Sequence, residues 1–147
     1  MKKRYGGIVL DGSFRILVPF TLVYGVYVLM NGEISPGGGF QAGALLAVGI
    51  VLSRLIMGAE NKVYNIAGKW AVISAGFGTF IYALTGWITL FCGGNFLDYS
   101  KLPFPVHDVA HLRALGILMI EVGVTICVMM TIIGILDMIT ERADIND

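Results

Sequence analysis

Charged residues are scarce in this sequence of 147 residues. Only 14% are Asp, Glu, Lys or Arg, and the ten basic residues are balanced by ten acidic ones. Soluble domains carry about a quarter charged residues. A chain without an excess of positive charge lacks the electrostatic footprint of a nucleic-acid-binding protein. We therefore expect no nucleic-acid partner.

Cysteine and histidine are equally rare, with two residues of each. Cys92 and Cys127 fall in separate apolar segments, which provides neither a disulfide framework nor metal-ligand spacing. We expect both to pack as small apolar residues, and we predict no metal or cofactor bound by this chain. An intramembrane protease of the rhomboid type needs a serine in a Gly-x-Ser-x-Gly motif and a histidine on another helix. The motif does not occur, and no histidine in the apolar segments could serve Ser53 or Ser74. The sequence therefore predicts that this chain is not by itself an enzyme.

Long apolar runs are what the sequence has in abundance. Hydrophobic residues make up 56% of the chain, and its mean hydropathy is +0.81. About 20 mostly apolar residues in a helix cross a bilayer. Four segments approach that length, at about 14–30, 40–57, 70–91 and 114–138. They predict an all-α integral membrane bundle of four transmembrane helices, a single membrane domain over 1–147, in the plasma membrane.

The first apolar segment could also be a cleaved signal peptide, because it follows a basic start. Its end, Leu29–Glu33, offers no small-residue cleavage site. We therefore expect this segment to be retained as a helix. Pro19 falls in its opening turns, where proline is best tolerated.

The basic residues predict the orientation of the chain. Only Lys101 and Arg113 fall on one side of the four predicted helices. The other eight are Lys2, Lys3, Arg4, Arg15, Arg54, Lys62, Lys69 and Arg142. Cytoplasmic segments are enriched in Lys and Arg, so both termini are predicted to be cytoplasmic.

Small residues recur at four-residue spacing along the last three predicted helices. They are Gly39, Gly43 and Ala47, then Ala71, Ala75, Thr79 and Ala83, and finally Gly123, Cys127 and Thr131. Membrane helices associate through such faces because small side chains allow close backbone approach. Four short helices have more of this surface than they need for one another, which favours a subunit of a larger assembly.

A glycine-rich segment joins the first two predicted helices. It reads Ser35-Pro36-Gly37-Gly38-Gly39-Phe40-Gln41-Ala42-Gly43. Proline fixes one torsion and consecutive glycines reach conformations closed to other residues, so the segment predicts a tight turn close to a neighbouring backbone. A phosphate-binding loop is excluded because no Gly-Lys-Ser/Thr follows and no strand precedes.

The Pro36-Gly37-Gly38-Gly39-Phe40 motif, followed by Gly43, resembles the MrpB/MnhB family, whose members are small subunits of multisubunit sodium/proton antiporters. A softer match is Glu121-Val122-Gly123-Val124, similar to the family's acidic-x-Gly-Val element. The resemblance covers about 14–138. Two departures stand out: Asn31-Gly32-Glu33 where Gly-His is usual, and Gln41-Ala42-Gly43 where Ile-Gly-Gly is commoner.

The resemblance implies a four-span accessory subunit that works beside large antiporter-like subunits in moving Na⁺ or H⁺. The Gln41-Ala42-Gly43 spelling is more similar to archaeal relatives built into membrane-bound hydrogenase or sulfane reductase complexes, in which a peripheral redox arm drives ion movement. We favour such a respiratory complex slightly, with a dedicated antiporter as the alternative. The ion-pumping residues of the family lie chiefly in the large subunits.

Glu121 is the first candidate for an ion path. It falls about seven residues into the fourth predicted helix, or about 10 Å from its start at 1.5 Å per residue. An ionised carboxylate at that depth is costly unless it is paired, hydrated or protonated. It is either a cation or proton site or a structural carboxyl held by a neighbour.

The other ion-path candidates are Asp137, His107, Asp108 and His111. Asp137 falls near the cytoplasmic end of the same helix, where the simpler interpretation is a hydrated carboxylate. Its separation from Glu121 by 16 positions predicts roughly opposite sides of the helix. The two histidines and Asp108 are interpreted as a solvated turn, or alternatively as groups that guard an outside ion entrance.

A different class of function remains open, namely a small independent channel that forms a homo-oligomer. Such a channel predicts paired acids deep within several helices. Only Glu121 is clearly inside an apolar segment. We therefore place this alternative below the subunit hypothesis.

Overall fold

The structure is a computed structural model that describes residues 8–34, 37–57, 68–105 and 108–145. Helix α1 spans Ile8–Met30, α2 spans Gly39–Met57, α3 spans Gly68–Phe91 and α4 spans Val109–Ile145. A short 3₁₀ turn, Tyr99–Lys101, precedes α4. These ranges contain helices and no strand, which confirms the predicted all-helical class with four helices.

Two of the helices begin earlier than the apolar pattern indicates. Helix α1 begins at Ile8 and α4 at Val109, whereas apolar segments were predicted from about 14 and 114. At α4 the cause is a cap, because an Asp108 carboxylate oxygen accepts the Ala110 N–H at 3.0 Å. Hydropathy marks the part of a helix that suits lipid, while capping decides where backbone hydrogen bonding begins.

The helices pack in the spatial order α1, α2, α4, α3. Leu22 of α1 packs on Gly49 of α2, and Gly25 of α1 packs on Leu46, so these two helices run antiparallel. Helix α4 then packs between α2 and α3. The central pair of this arrangement is therefore α2 and α4, with α1 and α3 flanking them.

Helices α2 and α4 run in the same direction. Gly39, the first residue of α2, contacts the backbone of Glu121. Arg54, near the other end of α2, pairs with Asp137, 16 residues further along α4. The interval from Gly39 to Arg54 on α2 and the interval from Glu121 to Asp137 on α4 each span about 22–24 Å at 1.5 Å per residue. Helix α2 therefore accompanies α4 over about that length.

The predicted small-residue face of α2 is used, and that of α4 is used at Gly123 and Cys127 but not at Thr131, which is exposed. A Cβ at Gly43 would lie 2.8 Å from the Thr125 carbonyl oxygen of α4, and Ala47 is fully buried. A Cβ at Gly123 would lie 2.8 Å from the Gly78 carbonyl oxygen of α3. Close backbone contact thus joins α4 to both of its neighbours.

The predicted stripe on α3 is only partly correct. Ala71 is buried, but Thr79 is exposed, although its hydroxyl lies 3.4 Å from the Cys127 sulfur. The residues that α3 buries are Ala71, Gly78, Thr85, Gly86 and Thr89. Seven-residue steps drift only about 20° around a helix, so they stay on one face, whereas four-residue steps drift about 40°.

The connection between α3 and α4 folds back onto both helices. The Leu97 N–H donates to the Thr89 hydroxyl at 3.0 Å, with Leu97 at a φ of +65°. The Phe96 ring covers Gly86 of α3, and the Tyr99 ring covers Gly116 of α4. The α3–α4 pair is thereby closed at this end by its own connection.

Among the described residues, three helices are long and apolar enough to cross a membrane. They are Gly12–Met30 within α1, Gly68–Phe91 and Val109–Ile139 within α4. The apolar part of α2, Gly39–Arg54, is shorter than these. With 37 residues, α4 is about 55 Å long and exceeds the roughly 30 Å of a hydrocarbon core.

Candidate functional site

Glu121 of α4 lies against the glycines that join α1 to α2. A Cβ on Gly32 would collide with its carboxylate oxygens, and a Cβ on Gly38 would lie 2.7 Å from one of them. Gly39 approaches the backbone itself, since its Cβ would lie 2.9 Å from the Glu121 Cα. The predicted close approach of this turn to a neighbouring backbone is confirmed, and the neighbour is α4 of the same chain. We call this cluster of Gly32, Gly38, Gly39 and Glu121 the turn end.

A threonine one helical turn further on fastens the turn end. The Thr125 hydroxyl donates to the Gly39 carbonyl at 3.0 Å, and this bond is buried. The Thr125 backbone also contacts Gly43. Neutral contacts at Gly39 and Thr125 therefore hold the α4 backbone around Glu121 against the start of α2.

A cavity of about 320 Å³ opens beside Glu121, between the end of α1 and the first half of α4. Its wall is largely apolar, and it also contains Glu33, Glu121 and His111. The remaining lining residues are Met30, Ala114, Leu115, Ile117 and Leu118. No lysine or arginine is among the described residues that line it. Two carboxylates, the exposed Glu33 and the half-buried Glu121, thus line one largely apolar cavity, an arrangement that attracts cations and protons.

His111 links this cavity to the start of α4. Its Nδ1 lies 2.9 Å from a carboxylate oxygen of Asp108, and both side chains are exposed. The Ala110 N–H bond, and secondarily the His111 contact, hold the pKa of Asp108 below its usual value. His107 and Pro36, both named in the sequence predictions, lie outside the described residues.

The described ranges hold no group of three or more His, Cys, Asp or Glu side chains arranged for a metal. The two carboxylates that line the cavity are those of Glu33 and Glu121, and the Asp108 carboxylate contacts His111, which lines the same cavity.

Asp137 occupies the opposite end of the α2–α4 contact. It forms an ion pair with Arg54 of α2, and the two side chains are 26% and 17% exposed. The interpretation of Asp137 as a merely hydrated carboxylate is corrected by this pair. The sequence did not reveal it because the partners are 83 positions apart. We call this pair the Arg54 end.

The predicted placement of Glu121 and Asp137 on roughly opposite sides of α4 does not prevent both from contacting the same neighbour. Both carboxylates meet the α1–α2 hairpin, one at its turn and the other at Arg54. Helical periodicity sets the direction in which each Cβ points, but it does not limit how far a side chain of the neighbouring helix can extend to meet the carboxylate. The long arginine side chain supplies that reach.

Phe40 is set apart from the rest of the glycine-rich motif. Its ring is 66% exposed, whereas Gly37 and Gly39 are buried. The side-chain oxygen of Gln41 folds over Gly37. The motif therefore uses its glycines inside the chain and presents its aromatic ring to the surroundings.

Residues 9–134 match the family described as a domain related to the MnhB subunit of Na⁺/H⁺ antiporter. That range includes the turn, Glu33, His111 and Glu121. The chain belongs to the MnhB family. Membership in this family and three membrane-crossing helices make it a multi-pass protein of the plasma membrane.

Relatives of this MnhB-family chain are known from staphylococci. The protein named "Putative antiporter subunit mnhB2" of Staphylococcus haemolyticus is 29% identical over 134 residues, which cover 86% of this chain and 94% of the relative. The proteins of the same name from Staphylococcus epidermidis and Staphylococcus aureus are 28% and 27% identical over the same shares. The similarity therefore extends over nearly the whole length of these relatives.

Proposed function

We propose that this chain is a non-catalytic membrane subunit of a multisubunit Na⁺/H⁺ antiporter, and that Glu121 lies on or beside its ion path. The supporting observation is the cavity beside the turn end, where Glu33 and Glu121 both line a largely apolar wall next to closely packed backbone. The names of the staphylococcal relatives favour an antiporter over other assemblies.

All four helices cross the membrane in this proposal. Helix α2 has 19 residues, about 28 Å at 1.5 Å per residue, and it follows α4 from the level of Glu121 to that of Asp137. Ala71, near the start of α3, packs on Gly134 of α4, so α3 begins at the level that α2 has reached. If α2 ended on the side of the membrane where it begins, α3 could not begin at the opposite end of α4, where Ala71 contacts Gly134.

The distribution of basic residues supports a cytoplasmic position for both termini. The turn end and its cavity lie towards the outside in that orientation, and the Arg54 end lies towards the cytoplasm. Glu33, Glu121 and His111 would meet cations arriving from outside. The Arg54–Asp137 pair neutralises its own charge, so we assign it a structural role.

The large antiporter-like subunits remain the expected partners, and transported Na⁺ or H⁺ the expected ions. The exposed Phe40 ring and the exposed apolar faces of α1 and α3 leave room for such neighbours. Glu121 acts either as a transient cation or proton ligand or as a carboxyl that shapes a hydrated path. Replacing Glu121 with an uncharged residue distinguishes these two transport roles from a purely structural role of its side chain.

A second candidate is a subunit of an archaeal respiratory complex of the membrane-bound hydrogenase or sulfane reductase type. The observation that favours it is the Gln41-Ala42-Gly43 spelling after the motif. In such a complex a peripheral redox arm would supply the energy, and any oxidoreductase activity would belong to the assembly.

Purification from the native host tests these proposals together. The chain would carry a C-terminal tag, be extracted in mild detergent and be analysed by mass spectrometry with its partners. Large antiporter-like subunits without redox proteins are the expected result. The same subunits with iron–sulfur or hydrogenase-like proteins would identify the respiratory complex instead. A clean homo-oligomer would overturn the subunit proposal and favour an independent channel.

Transport by the purified complex in vesicles tests the role of Glu121. Glu121→Gln keeps the volume of the side chain while removing its charge, so we expect at least a tenfold loss of Na⁺-driven proton movement. Asp98→Asn is the matched control, because it removes a carboxylate from the α3–α4 connection that does not line the cavity. Equal transport by both variants would remove Glu121 from the ion path.

A further inference from the structure

The cavity beside Glu121 is large enough for more than an inorganic ion. Its volume of about 320 Å³ reaches the range of small-molecule pockets, which begins at about 300 Å³. A dehydrated Na⁺ needs only a few oxygen ligands and would leave most of this wall without contact. The cavity therefore fits a ligand with hydrocarbon of its own.

The walls of the cavity divide into two chemically distinct parts. The apolar part consists of Met30 from α1 and four residues of α4, including Leu115 and Leu118. The charged part consists of Glu33 and Glu121. His111, the remaining polar lining residue, is already in contact with Asp108.

A ligand that suits both parts of the wall needs a positive charge and an apolar group. A neutral apolar ligand would remove water from two carboxylates and give nothing in return, which is unfavourable. A cationic head between the carboxylates restores their electrostatic stabilisation, while an attached apolar body gains about 25 cal/mol for each Å² that it buries.

We propose that this cavity binds a small amphipathic ammonium ion, with its head between Glu33 and Glu121 and its hydrocarbon against Leu115 and Leu118. Such a group is available as a free organic amine or as the amino headgroup of a membrane lipid. The site shares Glu121 with the proposed ion path, so an occupant would also compete with the transported cation. The binding itself requires only the cavity and not the transport role.

The test compares benzylammonium with benzyl alcohol, which match in shape and differ in charge. The full-length chain would be studied in neutral maltoside micelles at pH 7.5 by calorimetric titration, with empty micelles subtracted. We expect saturable binding of benzylammonium at least tenfold tighter than that of the alcohol. Equal affinity for the two compounds would overturn the proposal.

Variants locate the binding site within the chain. Glu33→Gln with Glu121→Gln should remove the preference for the ammonium ion, whereas Asp98→Asn should retain it. Ala114→Phe keeps both charges but fills the cavity, so it should weaken benzylammonium at least tenfold. Unchanged binding by the double variant or by the filled variant would contradict the assignment.

Folding of each variant is checked by its helical circular dichroism and its elution in gel filtration. If the double variant fails to fold, Glu33→Gln alone serves, because Glu33 is exposed on the turn and lies outside the helices. It should weaken benzylammonium at least threefold, and no change would overturn the proposal.

Competition distinguishes the two natural sources of the ligand. Displacement of benzylammonium by phosphatidylethanolamine, but not by phosphatidylglycerol, would support a lipid headgroup as the occupant. Displacement only by free amines would support a soluble ligand. Failure of the antiporter proposal would leave these binding results unaffected, since they are measured on the chain alone.

Discussion

Helix α4 meets the α1–α2 hairpin at two places about 24 Å apart, and the two contacts differ in kind. At the Arg54 end, two opposite charges pair through flexible side chains. At the turn end, glycines pack on the α4 backbone, and the Glu121 carboxylate lies in a cavity that contains a second carboxylate. The contact at the Arg54 end pairs the Asp137 carboxylate with a positive charge, whereas the contact at the turn end leaves the Glu121 carboxylate beside a second acid.

This difference shows how the chain can hold a costly carboxylate in place. The stabilising contacts at the turn end belong to Gly39, Gly43 and Thr125, which are neutral. Glu121 contributes its backbone to that packing, and its carboxylate remains available for other chemistry. At the turn end, neutral residues make the stabilising contacts and Glu121 has the charge. At the Arg54 end, the charged side chains of Arg54 and Asp137 themselves make the stabilising contact.

The largest expected effect comes from Gly39→Ala. The added methyl group would overlap the Glu121 carbonyl oxygen and lie 2.9 Å from its Cα, and backbone cannot rotate aside. We expect the free energy of unfolding to fall by about 3 kcal/mol, as in severe overpacking. Thermal unfolding in micelles, followed by circular dichroism, measures the loss.

Gly76→Ala is the control for this substitution. Gly76 also lies in a helix, but nothing approaches within 4 Å of its added methyl group. Its unfolding free energy should change by less than about 1 kcal/mol, in the direction that helix propensity favours. Equal losses for the two variants would show that the turn end is not tightly packed.

Removing the charge of Asp137 should have the next largest effect. Asp137→Asn removes the negative charge that pairs with Arg54, whose side chain is only 17% exposed. Breaking a fully buried pair costs about 3–5 kcal/mol, and partial exposure lowers our expectation to about 1–3 kcal/mol. The same unfolding measurement applies. Arg54→Leu with Asp137→Leu should recover most of the loss, and no recovery would argue against a simple ion pair.

Glu121→Gln should change stability in the opposite direction. The amide keeps the shape of the side chain and removes a charge from largely apolar surroundings, so unfolding free energy should stay level or rise by about 1 kcal/mol. Comparison with Asp137→Asn under one set of conditions tests the contrast between the two ends. A loss as large as that of Asp137→Asn would mean that Glu121 is paired like Asp137.

The smallest effect concerns Asp108, where α4 begins. Its pKa is lowered in the folded chain from an ordinary value of 3.8, so its capping contribution is present above that pH and is lost as the pH falls further. We expect the hydrogen-exchange protection of the Ala110 amide to decrease as the pH falls below 3.8. Asp108→Asn should abolish that dependence, and protection around Thr125 should not follow it.

Local sequence was sufficient for the helices and for the turn. Apolar length predicted four helical segments, and the ends of α1, α2 and α3 coincide with the ends of the predicted segments. The glycine run predicted a backbone approach that the structure contains at Gly39. These features depend on neighbouring residues, which is the information that a local pattern carries.

Other features required the packed helices. The contact of Gly78 with Gly123 depends on the registration of α3 against α4, and the cavity shared by Glu33 and Glu121 depends on where α1 ends beside α4. The Arg54–Asp137 pair joins positions 83 apart. No local pattern encodes which faces meet.

The sequence by itself determined that this chain is helical, belongs in a membrane and carries a carboxylate within an apolar helix. Those properties follow from hydropathy, glycine content and residue order. Only the tertiary structure decided that Asp137 of α4 is neutralised by Arg54 and that Glu121 of the same helix is left beside another acid. That outcome depends on the distance between side chains from different helices, and packing alone sets that distance.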